Sequence, residues 1–199
     1  MKVALILAHP DLRSLNHAIA ERARGALCAG GHEVVFHDLY AEGFDPVLPA
    51  AEIASDAVPA AEISRQGEEI RAADGIIVVH PNWWGQPPAI LTGWVDRVLR
   101  PGVAYRFHEG DQGEGVPVGL LRARTALVFN TANTSEHREM SVFFDPLDTI
   151  WRNCIFRLCG VQAVHRRTFQ VVVTSTAEQR RIWLDEVDAM VRRSFPPAN

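Results

Sequence analysis

Short apolar runs alternate with segments of helical periodicity along most of the chain. Val3 to Ala8 is a continuous apolar run of strand length, and residues 16–29 carry apolar side chains at helical spacing until Gly30 and Gly31 end the pattern. The alternation continues to the C-terminus. It predicts strands at residues 3–8, 32–37, 75–79, 125–130 and 162–173, and helices at residues 16–29, 60–73, 88–99, 146–159 and 177–194.

Strands that are separated by helices indicate a parallel α/β sheet with helices on both faces, because parallel neighbours need crossover connections. The glycine-rich segment 100–124 is predicted to be a long loop. In such sheets ligands bind beyond the carboxyl ends of the strands, where the strand order reverses. The segments to consider are therefore 9–16, 80–86 and 130–137, each of which directly follows a predicted strand.

Composition and charge argue against a multidomain, a nucleic-acid-binding and a membrane-spanning protein. A chain of 199 residues with 47% hydrophobic residues is long enough for one core, so a single domain over residues 1–199 is expected. A formal charge of −4 gives no basic field for nucleic acid. No apolar stretch has the length of a membrane span, and the opening residues lack the form of a signal peptide, so a cytoplasmic protein without an integral membrane segment is expected.

The cysteines and histidines do not indicate a metal site. Cys28, Cys154 and Cys159 are an odd number without a CxxC pair, which favours reduced thiols, mostly in the core. The eight histidines form no HxxxH or HExxH pair. We therefore predict no bound metal and no Ser/His/Asp or Cys/His catalytic group.

The segment after the first strand, 9–16, has the character of an anion site. It places His9, Arg13, Ser14 and Asn16 where the first helix begins, and the N-terminus of a helix offers free N–H groups and a positive dipole end. Phosphate is the natural occupant. The alternative is that Ser14 is only a helix cap and His9 a solvated loop residue.

Two adjacent tryptophans, Trp83 and Trp84, follow the third strand, where glycine, asparagine or aspartate is usual. A planar heterocycle that lies across the strand ends would be bordered by such aromatic side chains, on a loop that Pro81, Pro87 and Pro88 make rigid. The alternative is that both tryptophans pack in the core or in a dimer interface.

Four sequence pieces resemble the flavodoxin-like NAD(P)H:quinone oxidoreductases, a family that includes the modulator-of-drug-activity type and the ancillary flavoproteins of potassium-efflux systems. They are LAHPDLRSLN, GHEVVFHDLYAEGFDPVL, HPNWWGQPPAILTGWVDRVLRPGVAY and CIFRLCGV, within residues 1 to about 160. The resemblance implies a three-layer flavodoxin-like sandwich whose five parallel strands have the order 2-1-3-4-5. It also implies a homodimer with its sites at the interface.

The segment 142–159 carries more large apolar side chains than one helix face can bury internally. We therefore expect an exposed apolar patch there, which a symmetric dimer would cover. The alternative is a helix buried between the sheet and a neighbouring element.

The resemblance further implies a flavin, with FMN favoured over FAD because no separate adenosine motif is evident. His9, Ser14, Leu15 and Asn16 would bind its phosphate, and Tyr105 would line the nicotinamide and quinone pocket from the partner subunit. The ring would lie on two loops, against Pro81, Asn82, Trp83, Trp84, Asn130, Thr131, Asn133 and Thr134.

The chain departs from the family at residues 130–137, which read NTANTSEH where relatives usually carry TTGG followed by a tyrosine and a histidine. Close approach of the backbone to a flavin would then require Asn133 or Thr134 to adopt a conformation that glycine adopts more easily. The proton relay would fall to His137, for which a solvated loop position is the alternative.

The activity that the resemblance implies is transfer of hydride from NAD(P)H to a quinone or similar aromatic acceptor by a ping-pong mechanism, in which the cofactor carries the chemistry. The alternative is a flavin-bearing ancillary subunit of a membrane transport system, with little turnover of its own.

Overall fold

A computed structural model of the chain describes residues 1–111 and 114–197. The single domain predicted over residues 1–199 stays a prediction; residues 198–199 of it, and residues 112–113 of the predicted loop, lie outside the described residues. The elements in chain order are β1 (Lys2–Leu7), α1 (Leu15–Ala29), β2 (Glu33–Asp38), a 3₁₀ turn (Ala50–Glu52), α2 (Ala61–Ala72), β3 (Gly75–Pro81), α3 (Ala89–Val98), β4 (Tyr105–Arg106), β5 (Val118–Gly119), β6 (Thr125–Ala132), α4 (Glu136–Ser141), α5 (Pro146–Asp148), a π-helical segment (Thr149–Arg157), β7 (Ala163–Gln170) and α6 (Ala177–Ser194).

Five strands form one parallel sheet in the order β2-β1-β3-β6-β7. Counted along the chain within this sheet, the order is 2-1-3-4-5, so the flavodoxin-like α/β prediction is confirmed. The order reverses between β1 and β3, and the ends of these two strands are therefore the expected place for a ligand.

Apolar side chains cover both faces of the sheet. One core cluster joins the sheet to α2, α3 and the π-helical segment and includes Trp94 and Trp151; the other joins it to α1 and α6 and includes Phe169 and Trp183. Every residue of the central strand β3 is buried, as its apolar sequence predicts. No helix in the described ranges combines the length and the hydropathy that a membrane crossing requires.

Two strands are longer than their apolar runs indicate. β3 and β6 continue to Pro81 and Ala132 because they pair with each other beyond the hydrophobic part, with His80 opposite Asn130 and Pro81 opposite Thr131. The backbone ladder therefore extends through polar positions. β7 is shorter than predicted at both ends.

Four short elements were not predicted. They are the 3₁₀ turn, the antiparallel pair β4 and β5 within the supposed loop 100–124, and α4 after β6. All are too short to show hydrophobic periodicity. The predicted helix 146–159 is present as α5 and the π-helical segment.

Two predictions about burial were wrong in part. The apolar segment 142–159 does not lie at the surface as a unit: Trp151 and Phe156 are core residues, whereas residues 142–144 are exposed. Of the three cysteines only Cys159 is buried, and Cys28 and Cys154 are exposed. Burial raises the pKa of the Cys159 thiol to about 11.

Candidate functional site

A cleft of about 500 Å³ opens at the carboxyl ends of β1, β3 and β6. All the predicted cofactor-binding residues except Asn130 line it. These are His9, Ser14, Leu15, Asn16, Pro81, Asn82, Trp83, Trp84, Thr131, Asn133 and Thr134. The cleft also contains four residues that were not predicted to bind the cofactor, namely Arg13, Ala132, Val172 and Arg180.

The N-terminus of α1 forms one end of the cleft. Ser14 is its N-cap, and the Ser14 hydroxyl accepts a hydrogen bond from the backbone N–H of His17 at 3.3 Å. The first turn carries no acidic residue. The first backbone N–H groups of a helix have no intrahelical acceptor, so those of Leu15 and Asn16 are available to an anion in the cleft.

Asn16 connects α1 to the sheet beneath the cleft. Its amide Nδ2 donates to the Thr131 hydroxyl at 2.9 Å, and its side chain is almost fully buried. The Oδ1 atom of the same amide is buried and has no hydrogen-bond partner among the described residues. Because an unmet buried acceptor costs free energy, this oxygen is suited to a donor group of a bound molecule.

A tight turn carries the two tryptophans. Trp83 and Gln86 exchange backbone hydrogen bonds of 3.2 and 3.1 Å, and between them Trp84 and Gly85 have φ angles of 58° and 72°. The Asn82 side chain closes the turn, because its Oδ1 accepts the N–H of Gly85 at 3.0 Å. A left-handed backbone suits glycine, whereas at a bulky residue such as Trp84 it is strained.

The turn holds the Trp84 side chain away from the protein. Trp84 is 97% exposed, whereas Trp83 is 42% exposed and its ring lies 5.9 Å from that of His9. Trp84 lines three cavities: the cleft, a groove along α3 that begins at Pro46, and a third cavity beside α4. Both tryptophans line the cleft, and their contact with a ligand stays a prediction.

A buried histidine supports the strand end below the turn. His80 is fully buried; its Nε2 accepts hydrogen bonds from Trp151 Nε1 at 2.8 Å and Asn130 Nδ2 at 2.9 Å. Its Nδ1 lies 2.8 Å from the carbonyl oxygen of Pro81, to which it donates. Desolvation lowers the pKa of His80 to about 4, so the ring is neutral at pH 7.

Asn130 belongs to the buried side chains around His80 and does not line the cleft. It is fully buried within β6, and its Oδ1 accepts from Arg166, which also pairs with Asp145. The structure therefore does not bring Asn130 to the cleft. The sequence analysis placed Asn130 at the junction of the predicted strand 125–130 and the loop, because the apolar run ends there, whereas β6 continues to Ala132.

The segment 131–134 lines the cleft, but its backbone conformation differs from the expected one. Neither Asn133 nor Thr134 has a positive φ, so the prediction that one of them replaces a glycine conformation is wrong. Asn133 instead uses its Oδ1 to accept the backbone N–H of Val173 at 2.9 Å, which ties the segment to the end of β7. The left-handed residues of the site are in the tryptophan turn.

Neither His137, the predicted proton relay, nor Tyr105, which was predicted to act from the partner subunit, lies at the cleft of its own chain. His137 is an exposed residue of α4. Tyr105 is partly buried in a separate depression with Phe107 and Cys159, and its ring meets that of Phe107 edge to face at 5.6 Å. Desolvation, with a smaller effect of Cys159, raises the pKa of the Tyr105 phenol.

Sequence reasoning missed two charged residues at or near the cleft. Arg180 lines it and is placed by hydrogen bonds from its guanidinium to the Ser175 hydroxyl at 2.8 Å and the carbonyl of Val172 at 3.2 Å. Glu139 lies in α4, where its side chain is buried beside Asn82. No sequence pattern separates these residues from ordinary surface charges, because their elements are short or amphipathic.

Desolvation also lowers the pKa of His9, at the mouth of the cleft. A backbone hydrogen bond with Asp11, whose carbonyl oxygen lies 3.3 Å from Nδ1, opposes this shift. At neutral pH the site therefore presents an uncharged imidazole beside the free N–H groups of α1.

The chain is similar in sequence and in fold to known proteins. The sequence family described as "Flavodoxin-like fold" matches residues 1–190. The chain is 34% identical to an uncharacterized NAD(P)H oxidoreductase of Haemophilus influenzae over 85% of this chain and 83% of that protein. It is 28% identical to NAD(P)H dehydrogenase [quinone] 1 of Rattus norvegicus over 82% of this chain, but only 66% of the rat protein. A solved structure of a putative quinone reductase from Klebsiella pneumoniae superposes with a TM-score of 0.85 at 26% identity, covering 99% of this chain and 86% of that one.

Proposed function

This chain belongs to the family of flavodoxin-like NAD(P)H oxidoreductases, and from that premise we propose that it uses a flavin to pass hydride from NAD(P)H to quinones or similar aromatic acceptors. The observation that carries the proposal is the cleft itself. It combines a helix N-terminus that suits phosphate with two exposed indoles that suit a flat ring, at the point where strand order reverses.

The residues of the cleft fit a flavin. We propose that His9, Ser14, Leu15 and Asn16 hold its phosphate and side chain, where the orphaned Oδ1 of Asn16 would accept a hydrogen bond from a ligand hydroxyl. The flavin ring would lie against the cleft residues that were predicted to border it, namely Pro81, Asn82, Trp83, Trp84, Thr131, Asn133 and Thr134. The bound cofactor, which we propose is FMN, supplies the hydride chemistry.

The chain's own contribution is position and exclusion of water. His80 fixes the carbonyl of Pro81, Asn82 fixes the turn, and Asn133 fixes the end of β6. The indole of Trp84 is left as an exposed wall of the cleft. We propose that NAD(P)H and the acceptor use the space above the ring in turn, which is a ping-pong scheme, and that NAD(P)H in the cytoplasm is the reductant.

Reconstitution tests this proposal. The protein is expected to bind about one flavin per chain, and NAD(P)H oxidation should then require both the flavin and a quinone. A ping-pong scheme gives parallel double-reciprocal plots when NAD(P)H and quinone are varied together. Failure to bind both FMN and FAD at micromolar concentration would refute the proposal; converging plots would refute only the order of events.

We also propose that two chains form a homodimer through the exposed apolar residues Val142, Phe143 and Phe144, beside the cleft. In that assembly Tyr105 would reach the site of the partner subunit, since in its own subunit it lies in a separate depression. Sedimentation should show a dimer at micromolar concentration, and Phe144→Asp should give a monomer. A monomeric wild-type protein with flavin bound would refute both ideas.

A further inference from the structure

A second cavity of about 510 Å³ adjoins the cleft and shares Trp84, Asn82 and Thr134 with it. We call it the side pocket. Gly85 forms part of its wall and approaches Pro146 so closely that a Cβ atom at Gly85 would lie 2.7 Å from the proline Cγ. The lining residues are Asn82, Trp84, Gly85, Thr134, Glu139, Phe143 and Pro146.

Glu139 is the only residue in this lining that carries a formal charge. It is 6% exposed, and its Oε1 accepts a hydrogen bond from Asn82 Nδ2 at 3.0 Å. Within residues 1–111 and 114–197 no arginine, lysine or histidine pairs with it, and Oε2 has no hydrogen-bond partner. Glu139 is therefore a nearly buried acid with one oxygen left to the pocket.

The backbone holds this acid in place. The N–H of Glu139 donates to the carbonyl of Ser135 at 3.0 Å, and the carbonyl of Glu139 accepts from Asp145 at 3.1 Å. Asn82 bonds to Glu139 through its amide nitrogen and to Gly85 through its oxygen, so one side chain joins the acid to the tryptophan turn. The acid thus has a fixed position relative to Trp84.

A carboxylate in such surroundings favours a positively charged ligand. Burial without a counter-charge is costly, and a cation that enters the pocket relieves that cost. Trp84 provides a second attraction for the same class of ligand, because its indole is exposed in this lining and aromatic faces attract cations. An anion would meet the carboxylate and no compensating charge in the lining.

We propose that the side pocket binds the charged substituent of an aromatic acceptor and that Glu139 selects cationic acceptors over anionic ones. This inference rests on the proposed reductase activity, since it names the class of acceptor for that site. It assigns Glu139 as a residue that determines specificity, with Asn82 as the group that positions it.

Activity with three naphthoquinones of one ring system tests the assignment. One is unsubstituted, one carries a trimethylammonium group and one carries a sulfonate. The ratio of kcat/KM for the cationic over the anionic quinone should be well above one in the wild type and should fall about tenfold in Glu139→Gln, which removes the charge with little change of shape. Glu136→Gln is the matched control, because Glu136 lies exposed in the same short helix, and it should leave the ratio unchanged.

A binding measurement separates the two proposals. The non-reducible analogues naphthyltrimethylammonium and naphthalenesulfonate are titrated into the flavin-loaded protein by calorimetry, and the preference for the cation should again fall about tenfold in Glu139→Gln. If the unsubstituted quinone is reduced but the ratio does not change in Glu139→Gln, the assignment of Glu139 is wrong. Equal falls in Glu136→Gln and Glu139→Gln would also refute it, since the effect would then be one of general surface charge. If no quinone is reduced, the proposed function fails, and the calorimetric ratio still decides whether Glu139 selects cations.

Discussion

Trp84 and Trp94 are ten residues apart in one stretch of chain, yet their environments are opposite. Trp84 is 97% exposed at the tip of a turn, whereas Trp94 is 2% exposed in α3 and donates a hydrogen bond from Nε1 to Gln66 Oε1 at 2.7 Å. The side chains are identical, so the difference comes from the backbone that carries each. In the helix, periodicity aligns Trp94 with Leu91 and Val98 against the sheet. In the turn, a left-handed φ directs Trp84 outwards at a cost in strain.

The comparison teaches that apolar content does not by itself mark the core. Trp84 costs free energy in two ways, because its apolar ring is exposed to water and its backbone is strained. Such a position is expected where a ligand covers the side chain. Trp94 requires no ligand, because the surrounding protein buries its ring and accepts the hydrogen bond of its N–H. The two residues can therefore be separated by experiment.

The largest expected effect is that of Trp94→Ala on stability. Truncation leaves a cavity in the core and deprives Gln66 of its donor, so the free energy of unfolding should fall by roughly 3–5 kcal/mol. Urea denaturation of the flavin-free protein measures this, and flavin affinity per folded molecule should not change. A loss as large in Trp84→Ala would remove the distinction between the two sites.

The next effect concerns His80, which is buried below the tryptophan turn. The folded pKa of His80 is about 4, below the 6.5 of a free histidine, so acid protonates the unfolded chain first. The contribution of His80 to stability is therefore complete above pH 6.5 and is lost as the pH falls towards 4, by about 3 kcal/mol in total.

His80→Gln removes this titration. Urea unfolding at intervals between pH 7 and pH 4 should show a shallower loss of stability in the variant than in the wild type, whatever the variant's stability at pH 7. The comparison cancels the carboxylates that also titrate at low pH. Parallel profiles for the two proteins would mean that His80 is not held neutral by burial.

A smaller effect is expected for Trp84→Ala on flavin binding. Loss of an aromatic wall should weaken binding by on the order of 1 kcal/mol beyond the area lost, which is about fivefold in the dissociation constant. Fluorescence titration with FMN measures it, with Trp94→Ala, corrected for its folded fraction, as the control. Unchanged affinity would place the flavin elsewhere in the cleft.

The smallest effect separates strain from contact at the turn. Trp84→Gly and Trp84→Ala both remove the indole, but only glycine adopts a φ of 58° without a Cβ penalty. The glycine variant should therefore be more stable than the alanine variant by about 1 kcal/mol. The order of their urea midpoints checks this, and a more stable alanine variant would show that the turn rearranges when the indole is lost.

The sheet and its helices were predictable because burial imposes a pattern on the sequence. Residues 75–79 of β3 read as an unbroken apolar run, and α6 was predicted with the bounds Ala177 and Ser194 that it has. The strand ends were not predictable in this way. Beyond Val79 and Asn130 the chain is polar, and only backbone pairing between β3 and β6 extends the strands.

The cleft was predictable where residue type and topology agree, as at Ser14, Asn16 and the two tryptophans. Glu139 was not, because nothing in the sequence separates it from Glu136, an exposed acid of the same helix. Which of the two is buried depends on Asn82, which is 57 residues away along the chain. Such contacts depend on the tertiary fold and leave no local pattern.

The placement of Trp84 among three cavities has a consequence for how they fill. One rotamer of the indole defines the walls of the cleft, of the groove along α3 and of the side pocket at the same time. A molecule that binds in one of these cavities selects a rotamer of Trp84, and that rotamer then shapes the walls of the other two cavities as well. Binding free energies at the three places are then linked and reciprocal, so a ligand of the groove would alter affinity in the cleft without touching it.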